Sequence, residues 1–105
     1  MLSILIPVYN YAVSSLVEIV YKQALECNIP FEIICLDDAS QFFLSENQKI
    51  NQLKNTTYFI LDKNIGRSAI RNLLARKAVY ENLLFLDADT IPVTGNFISN
   101  CPRLY

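Results

Sequence analysis

Four short apolar runs, separated by stretches with helical spacing, limit what this chain can fold into. The runs cover residues 4–8, 31–36, 57–61 and 83–86. Helical spacing of apolar residues occurs in 15–27, more weakly in 44–53, and in a third stretch that Gly66 opens. Apolar runs that alternate with helical patterns are typical of buried parallel strands joined by helices. The sequence therefore predicts an α/β fold with three α/β/α layers around a mainly parallel sheet.

Two local signals add detail to this prediction. Pro7 has no backbone N–H to donate to a neighbouring strand, so we expect it at the end of the first strand. Ser15 and Glu18 have the spacing of a capping box, which predicts the start of the first helix.

The composition allows one folded domain over residues 1–105 and excludes several kinds of chemistry. Hydrophobic residues make up 52% of the chain, which favours folding over disorder. The formal net charge is -1 and there is no basic block, which argues against general nucleic-acid binding. Because the chain contains no histidine, it cannot by itself form a Ser-His-Asp triad or a His-ligated zinc site.

The cysteines and the hydropathy pattern bear on location. Cys27, Cys35 and Cys101 are odd in number and far apart, which favours thiols in a reducing compartment over a disulfide framework. No apolar run approaches the length of about 20 residues that a membrane-spanning helix needs, and no signal peptide is visible. We therefore expect a cytoplasmic protein, and association of a longer form with the cytoplasmic face of a membrane stays open.

Aromatic, acidic and basic residues follow the predicted strands at one edge of the sheet. In chain order they are Pro7, Tyr9, Asn10, Asp37, Asp38, Arg67, Arg71, Asp87 and Asp89. The carboxyl ends of parallel strands are where α/β proteins bind ligands, so we expect these residues to share one site. These side chains suit the parts of a nucleotide: an aromatic ring can bind the base, carboxylates can bind the ribose or a metal ion, and cationic side chains can bind phosphate.

The two acids that follow the fourth apolar run suit a metal. Asp87 and Asp89 form an Asp-x-Asp pattern, and carboxylate oxygens are preferred ligands of hard divalent cations. The chain has only two glycines, so neither a P-loop nor a dinucleotide-binding fingerprint can be written from it. A metal-assisted nucleotide site of another type is therefore predicted.

Four segments together resemble the family 2 glycosyltransferases, a large inverting group with the GT-A fold. They cover residues 3–10, 31–40, 64–72 and 86–89, in the order and spacing of that family. The second segment has Ala39 where the family usually has glycine. The resemblance implies a Rossmann-like fold, specifically the N-terminal, nucleotide-sugar-binding half of a GT-A enzyme.

The resemblance also implies roles for individual residues. Pro7, Tyr9, Asp38 and Arg71 match positions that hold a uracil-type base, and Asp87 matches a carboxylate near the ribose. Asp89 matches the direct ligand of a manganese or magnesium ion. The implied reaction transfers a sugar from a nucleotide-diphosphate donor, a UDP-sugar in the first instance, to an unidentified glycan, lipid or small-molecule acceptor. Two departures from the family pattern, at Gln41–Phe43 and Thr90, leave donor identity open.

Each residue also has an ordinary structural explanation. Tyr9 could cap a sheet edge, and Asp37 is interpreted as the structural member of the acidic pair. Arg67 and Arg71 could both be solvated helix charges, and this explanation is favoured for Arg67. For the Asp-x-Asp pattern a solvated turn is the alternative, but its occurrence together with the other three segments favours metal binding.

The end of the sequence bears on catalysis. Residues 90–105 contain no Asp or Glu, whereas the family resemblance implies a general base well downstream of the metal-binding residues. We therefore predict no catalytic base within this chain and expect it beyond residue 105. On this interpretation the acceptor-binding half is absent, and the exposed sheet edge favours self-association.

Three other classes were weighed against this interpretation. A haloacid-dehalogenase-type phosphatase uses Asp-x-Asp-x-Thr, but here Thr90 directly follows the second acid, so the spacing fails. A receiver domain also has acids at a strand end, but its distal lysine has no match. A non-catalytic nucleotide-binding or interaction module stays open because a catalytic base is lacking, and a nucleotide-binding assay separates it from the enzyme.

Overall fold

A computed structural model describes residues 1–88, which form a four-stranded parallel sheet with helices on both faces. The strands are β1 (Leu2–Val8), β2 (Phe31–Asp37), β3 (Thr56–Ile60) and β4 (Asn82–Phe85). The helices are α1 (Ser14–Glu26), α2 (Leu44–Gln48) and α3 (Arg67–Lys77), with a 3-10 helix at Lys49–Gln52. The strand order is β3-β2-β1-β4. The predicted α/β class and the mainly parallel sheet are confirmed.

Two hydrophobic cores lie on opposite faces of the sheet. The larger packs alternate residues of β1 and β2, such as Ile4 and Ile33, against the buried side of α1. The smaller packs Leu5 against Ile70 and Leu74 of α3. Successive side chains of a strand point to opposite faces, so nearly every residue of β1 is buried on one side or the other. This double burial explains why the strands read as continuous apolar runs.

The hydrogen-bonding pattern of β1 shows why Pro7 is tolerated in a central strand. The backbone oxygen of Val8 accepts a hydrogen bond from the N–H of Asp38 on the β2 side. The backbone oxygen of Leu5 accepts one from the N–H of Leu86 on the β4 side. In a parallel ladder these directions alternate, so the position of Pro7 faces the β4 side. Its missing N–H falls just past the last pair of that ladder, Leu5 with Phe85. Beyond this point β1 and β4 are free to separate.

Two local predictions need correction. The predicted capping box does not form: α1 begins one residue earlier than Ser15, and its N-cap residue Val13 makes no side-chain cap. The weak helical pattern over 44–53 is two short pieces, α2 and the 3-10 helix, and not one helix. A polar segment with sparse apolar residues buries little surface, so contacts with its neighbours decide where each piece ends.

The outer edge of β3 is partly closed by a side chain. Tyr58 has its N–H and C=O on the outer side of the strand, away from β2, because Asn55 and Leu61 make the bonds to β2. The amide of Asn51 contacts both groups, accepting from Tyr58 N (2.8 Å) and donating to Tyr58 O (3.3 Å). Across residues 1–88, no helix is both long and apolar enough to cross a bilayer.

Candidate functional site

The main cleft of the described residues lies at the carboxyl end of the sheet. Its volume is about 490 Å³, which is within the range of small-ligand sites. Its walls come from the ends of β1, β2 and β4 and from the start of α3. They are Pro7, Val8, Tyr9, Tyr11, Asp38, Asn64, Gly66, Arg67, Ile70, Asp87 and Ala88. Four residues assigned to nucleotide binding from the sequence, Pro7, Tyr9, Asp38 and Asp87, therefore border one cleft.

The strand order explains the position of this cleft. From β1 the chain moves outward to β2 and β3, and then returns to place β4 on the other side of β1. The helix after β1, α1, and the helix before β4, α3, lie on opposite faces of the sheet, and a crevice forms where the chain changes sides. The break in the β1–β4 ladder at Pro7 contributes because Asp87 and Ala88 continue past it along the cleft wall.

Asp38 fixes the loop that leads into α3. One carboxylate oxygen accepts the N–H of Ile65 (2.7 Å) and the other accepts the N–H of Gly66 (3.0 Å). The side-chain amide of Asn64 donates to the backbone oxygen of Asp38 (3.1 Å). A carboxylate can accept about four hydrogen bonds, so Asp38 keeps acceptor capacity for a ligand in the cleft.

Gly66 is needed for its backbone conformation. Its φ is +90°, a value that side-chain-bearing residues rarely adopt, while an added Cβ would have no heavy atom within 4 Å. The space around it is therefore not the constraint. The turn it allows presents the N–H groups of residues 65 and 66 to Asp38.

Asp37 lies under the cleft and is fully buried. Its carboxylate accepts the backbone N–H of Ser40 (2.6 Å) and the hydroxyl of Tyr58. Burial, and then the hydrogen bond to Asp37, raise the pKa of the Tyr58 hydroxyl above its usual value, so Tyr58 remains a donor at neutral pH. These contacts match the structural role that the sequence analysis gave to Asp37.

The segment between β1 and α1 forms the aromatic wall of the cleft. Asn10 has a left-handed conformation (φ +50°) and lies between Tyr9 and Tyr11, both of which border the cleft. The N–H of Asn10 donates to Ser40 Oγ (2.7 Å), and its Oδ1 accepts from Gln41 N (2.8 Å). The loop after β2 therefore holds the loop after β1. Tyr11 was not singled out from the sequence, because nothing in its neighbourhood marks it.

A second tether to this segment comes from α2. Asn47 is fully buried, and its Oδ1 accepts the N–H of Val13 (2.8 Å). Its Nδ2 donates to the backbone oxygen of Tyr11 (2.8 Å). One side-chain amide thus satisfies two backbone groups that flank Ala12. No signal in the sequence distinguished this asparagine from the other polar residues of its helix.

The two arginines of α3 are placed differently. Arg67, at the first position of the helix, borders the cleft. Arg71 lies one turn later with its guanidinium carbon 4.4 Å from the ring centre of Phe85, a cation–π contact, and it is not among the residues that line the cleft. The sequence analysis assigned Arg71 to the nucleotide and favoured a solvated role for Arg67. In the structure, Arg67 is the arginine at the cleft.

The predicted metal site is only partly within the described residues. Asp87 is exposed and lines the cleft, whereas Asp89 lies outside residues 1–88. Among the described residues, no three acidic or sulfur ligands gather into a metal cage. A magnesium-type ion commonly uses one or two carboxylates together with substrate phosphates, so an exposed aspartate at a nucleotide-sized cleft fits such an ion.

Comparison with known proteins identifies the family. Residues 3–99 match the sequence model of the family described as "Glycosyl transferase family 2", so the chain belongs to this family. An uncharacterized glycosyltransferase of Rickettsia felis is 32% identical over 89 residues, which cover 85% of this chain and 15% of that protein. A second one, from Rickettsia conorii, is 31% identical over 86% of this chain and 15% of its own length. The chain therefore spans about a seventh of these relatives.

Solved structures show the same architecture. TarS of S. aureus (residues 1–349), in complex with UDP-GlcNAc, superposes with a TM-score of 0.69 at 29% identity, over 84% of this chain and 26% of that one. The mannosyltransferase PcManGT of Pyrobaculum calidifontis, in complex with GDP-Man and Mn2+, has a TM-score of 0.80 at 19% identity, over 98% and 31%. The second likeness shows the fold alone.

Proposed function

We propose that this chain is the donor-binding part of an inverting glycosyltransferase and that it binds a nucleoside diphosphate sugar, of the uridine type, in the cleft at the carboxyl end of the sheet. The observation that carries the proposal is the convergence of Tyr9, Asp38 and Asp87, from three separate segments, on that one cleft. A similar structure at 29% identity was solved with UDP-GlcNAc.

The cleft residues suit the parts of such a donor. Tyr9 is more than half exposed and offers a ring on which a base can stack. Asp38 has acceptor capacity for an N–H of the base, since uracil and guanine carry such a group next to a carbonyl. Arg67 brings a cation to the cleft where it can contact a base carbonyl or a phosphate. Arg71 stays a prediction from the family resemblance.

Divalent cation binding is part of the proposal. Asp87, together with Asp89 from outside the described residues, would hold manganese or magnesium against the diphosphate. When bound, such an ion offsets the negative charge that develops on the departing nucleoside diphosphate. The side chains of this chain bind and orient the donor. Deprotonation of the acceptor hydroxyl is assigned to the carboxylate of an Asp or Glu outside this sequence, because no Asp or Glu follows Asp89.

Calorimetric titration with UDP tests donor binding. We expect weak binding that becomes tighter with Mn²⁺ or Mg²⁺, and Asp89→Ala should remove most of that metal effect. Tyr9→Ala should weaken UDP binding by about 5- to 150-fold, since stacking of a base on an aromatic ring contributes about 1–3 kcal/mol.

Phe42→Ala is the matched control for Tyr9→Ala. Phe42 is 59% exposed, against 56% for Tyr9, but does not line the cleft, so its removal should leave UDP affinity unchanged. Equal affinity losses for the two variants would argue against the cleft as the nucleotide site. Metal-independent binding that Asp89→Ala does not alter would contradict the metal assignment. Clear sugar transfer by this chain would contradict the assignment of the general base to a residue outside this sequence.

A non-catalytic nucleotide-binding module is the second candidate, and the lack of an acid after Asp89 is what favours it. It shares the predicted UDP affinity with the enzyme. Joining the chain to the remainder of a relative's sequence separates the two: a transferase half should then transfer sugar, and a binding module should not.

A further inference from the structure

We propose that Asn47 is a positioning residue for nucleotide binding: its buried amide holds the segment from Tyr9 to Val13 in the shape that forms the aromatic wall of the cleft. The inference rests on the proposed function, because it names the residue on which that wall depends. Asn47 itself does not line the cleft.

The contacts of Asn47 are suited to holding a loop. Its Oδ1 and Nδ2 bind the N–H of Val13 and the C=O of Tyr11, each at 2.8 Å. The peptide groups on both sides of Ala12 are thereby held by one rigid, planar amide. Neither of these loop groups has another backbone partner among the described residues. In their place Asn47 supplies the donor and the acceptor that a neighbouring strand would have given.

Because Asn47 is buried, the loss of its hydrogen bonds is energetically costly. Its side chain and Val13, whose N–H it binds, are fully buried, so this bond cannot exchange with water without opening the structure. A hydrogen bond lost in such a place leaves its partner unsatisfied, which costs more than the bond itself contributes at the surface. Val13, at the end of the held segment, is also fully buried and is the N-cap residue of α1.

The held segment matters because it is otherwise irregular and exposed. Tyr9 and Tyr11 are 56% and 45% exposed, and Asn10 between them has a left-handed backbone. Packing contacts restrain the positions of such exposed side chains only slightly. Their direction is set by the backbone, which is held at one end by Ser40 and Gln41 through Asn10 and at the other by Asn47.

The chain contains a matched control for this role. Asn51, four residues after Asn47, makes the same pair of contacts to a backbone, accepting from Tyr58 N and donating to Tyr58 O. Asn51 is exposed, and neither it nor Tyr58 borders the cleft. Both asparagines therefore use the same chemistry on the same crossover, but only one is attached to the segment that carries Tyr9 and Tyr11.

The test compares Asn47→Ala with Asn51→Ala in the full 105-residue chain. UDP is titrated with Mn²⁺ at a temperature where both variants are shown to be folded and monomeric. We expect Asn47→Ala to weaken UDP binding about tenfold, the ratio that corresponds to one lost hydrogen bond of about 1.4 kcal/mol. Asn51→Ala should stay within about twofold of the unaltered chain. Affinities of Asn47→Ala and Asn51→Ala that agree within about twofold would overturn the proposal.

Hydrogen exchange without ligand gives an independent reading. In Asn47→Ala the amide of Asn10, near the other end of the held segment, and that of Gln41, which donates to Asn10, should exchange faster, and in Asn51→Ala they should not. Unchanged exchange at these amides would also overturn the proposal. If the unaltered chain binds no UDP, the proposed function fails and the effect of Asn47 on binding fails with it. The exchange result then decides separately whether Asn47 holds the segment.

A measurement on the unaltered chain covers the case in which Asn47→Ala does not fold. If the clamp and the nucleotide stabilise the same loop shape, UDP must in turn protect the Val13 amide from exchange. We expect this protection to rise at Val13 and to stay constant at Tyr80, whose amide is bound by Ser3 Oγ at the amino end of the sheet. An equal response of the two amides, or no response at Val13, would contradict the positioning role.

Discussion

Carboxylates accept backbone N–H groups at both ends of the sheet, but among the described residues only the one at the carboxyl end, Asp38, borders the main cleft. At the amino end, Glu32 accepts from Ser3 Oγ and from Val79 N, both at 2.6 Å, and Ser3 in turn accepts from Tyr80 N (3.1 Å). These bonds hold the turn between α3 and β4 against β1 and β2. At the carboxyl end, Asp38 holds a loop by the same kind of bond beside a cleft of about 490 Å³.

The difference comes from topology and not from the type of residue. At the amino end the turn from α3 into β4 lies directly against β1 and β2. At the carboxyl end, α1 after β1 and α3 before β4 lie on opposite faces of the sheet, and the ladder between β1 and β4 ends before Pro7. At the amino end the carboxylate of Glu32 therefore holds a turn, and at the carboxyl end that of Asp38 holds a loop and also borders the main cleft. Substitutions at the two ends should separate these roles.

The largest expected effect is that of Asp38→Ala compared with Glu32→Ala. Each change removes two hydrogen bonds to a carboxylate, so each should lower the free energy of unfolding by about 2–3 kcal/mol in chemical denaturation. Asp38→Ala should also weaken UDP binding by more than about tenfold, because it releases the loop of Ile65 and Gly66 at the cleft. Glu32→Ala should leave affinity within about twofold. A comparable affinity loss in Glu32→Ala would erase the distinction between the two ends.

The Tyr58→Phe substitution tests buried support within the carboxyl end. It should lower stability at neutral pH by about 1.5–3 kcal/mol, since the bond it removes is made to a carboxylate. Because the pKa of Tyr58 is higher in the folded chain than in the unfolded chain, the unfolded state loses this proton first as pH rises. Above about pH 10 stability should therefore fall with pH, and Tyr58→Phe should remove part of that fall. Denaturation curves from pH 7 to 11 measure both effects. Identical alkaline slopes for the two proteins would contradict the buried bond.

The two arginines of α3 offer a smaller contrast. Arg67→Ala should weaken UDP binding by about 3- to 10-fold, because it removes a cation at the cleft. Arg71→Ala should instead reduce stability by about 0.5–2 kcal/mol through loss of its contact with Phe85. Titration of both variants with UDP measures the effect on affinity, and chemical denaturation of both measures the effect on stability. A larger affinity loss for Arg71→Ala would support the assignment of Arg71 to the nucleotide, which follows from the family resemblance.

The smallest expected effect is at Ala39. This residue has a left-handed backbone (φ +61°) in the loop that precedes Gln41, so Ala39→Gly should raise stability by up to about 1 kcal/mol. The control is Ala75→Gly, at an exposed position of α3, which should lower stability by about 0.8–1 kcal/mol. Thermal unfolding compares the pair. Loss of stability in both variants would show that Ala39 is not strained.

Much of the fold could be predicted from the sequence because burial produces a pattern along the chain. Strands covered on both faces read as apolar runs, and β1 between its two neighbours is the clearest example. The capping box at Ser15 failed because its four-residue spacing also arises by chance and carries no information on where the preceding loop is held. Contacts with α2, through Asn47, determine that instead.

The site could be predicted only in part, for a related reason. Tyr9, Asp38 and Asp87 follow apolar runs, so their place at one edge could be inferred from the order of elements. Arg67 and Arg71 are one helical turn apart, and only the packing of Phe85 beneath α3 shows which of them borders the cleft. Asn47 belongs to a segment without periodicity. Its importance depends on a contact 34–36 residues away along the chain.

The side-chain amide of Asn51 has a consequence for assembly. An uncovered sheet edge is a template on which a second chain can add a strand, and Lys, Pro or bulges commonly prevent this. On β3 the outward N–H and C=O at the middle of the strand, those of Tyr58, are already bound by Asn51, which mimics the peptide group of one further residue. A strand approaching this side would have to displace it. Asn51 therefore disfavours addition of a partner strand at the middle of β3.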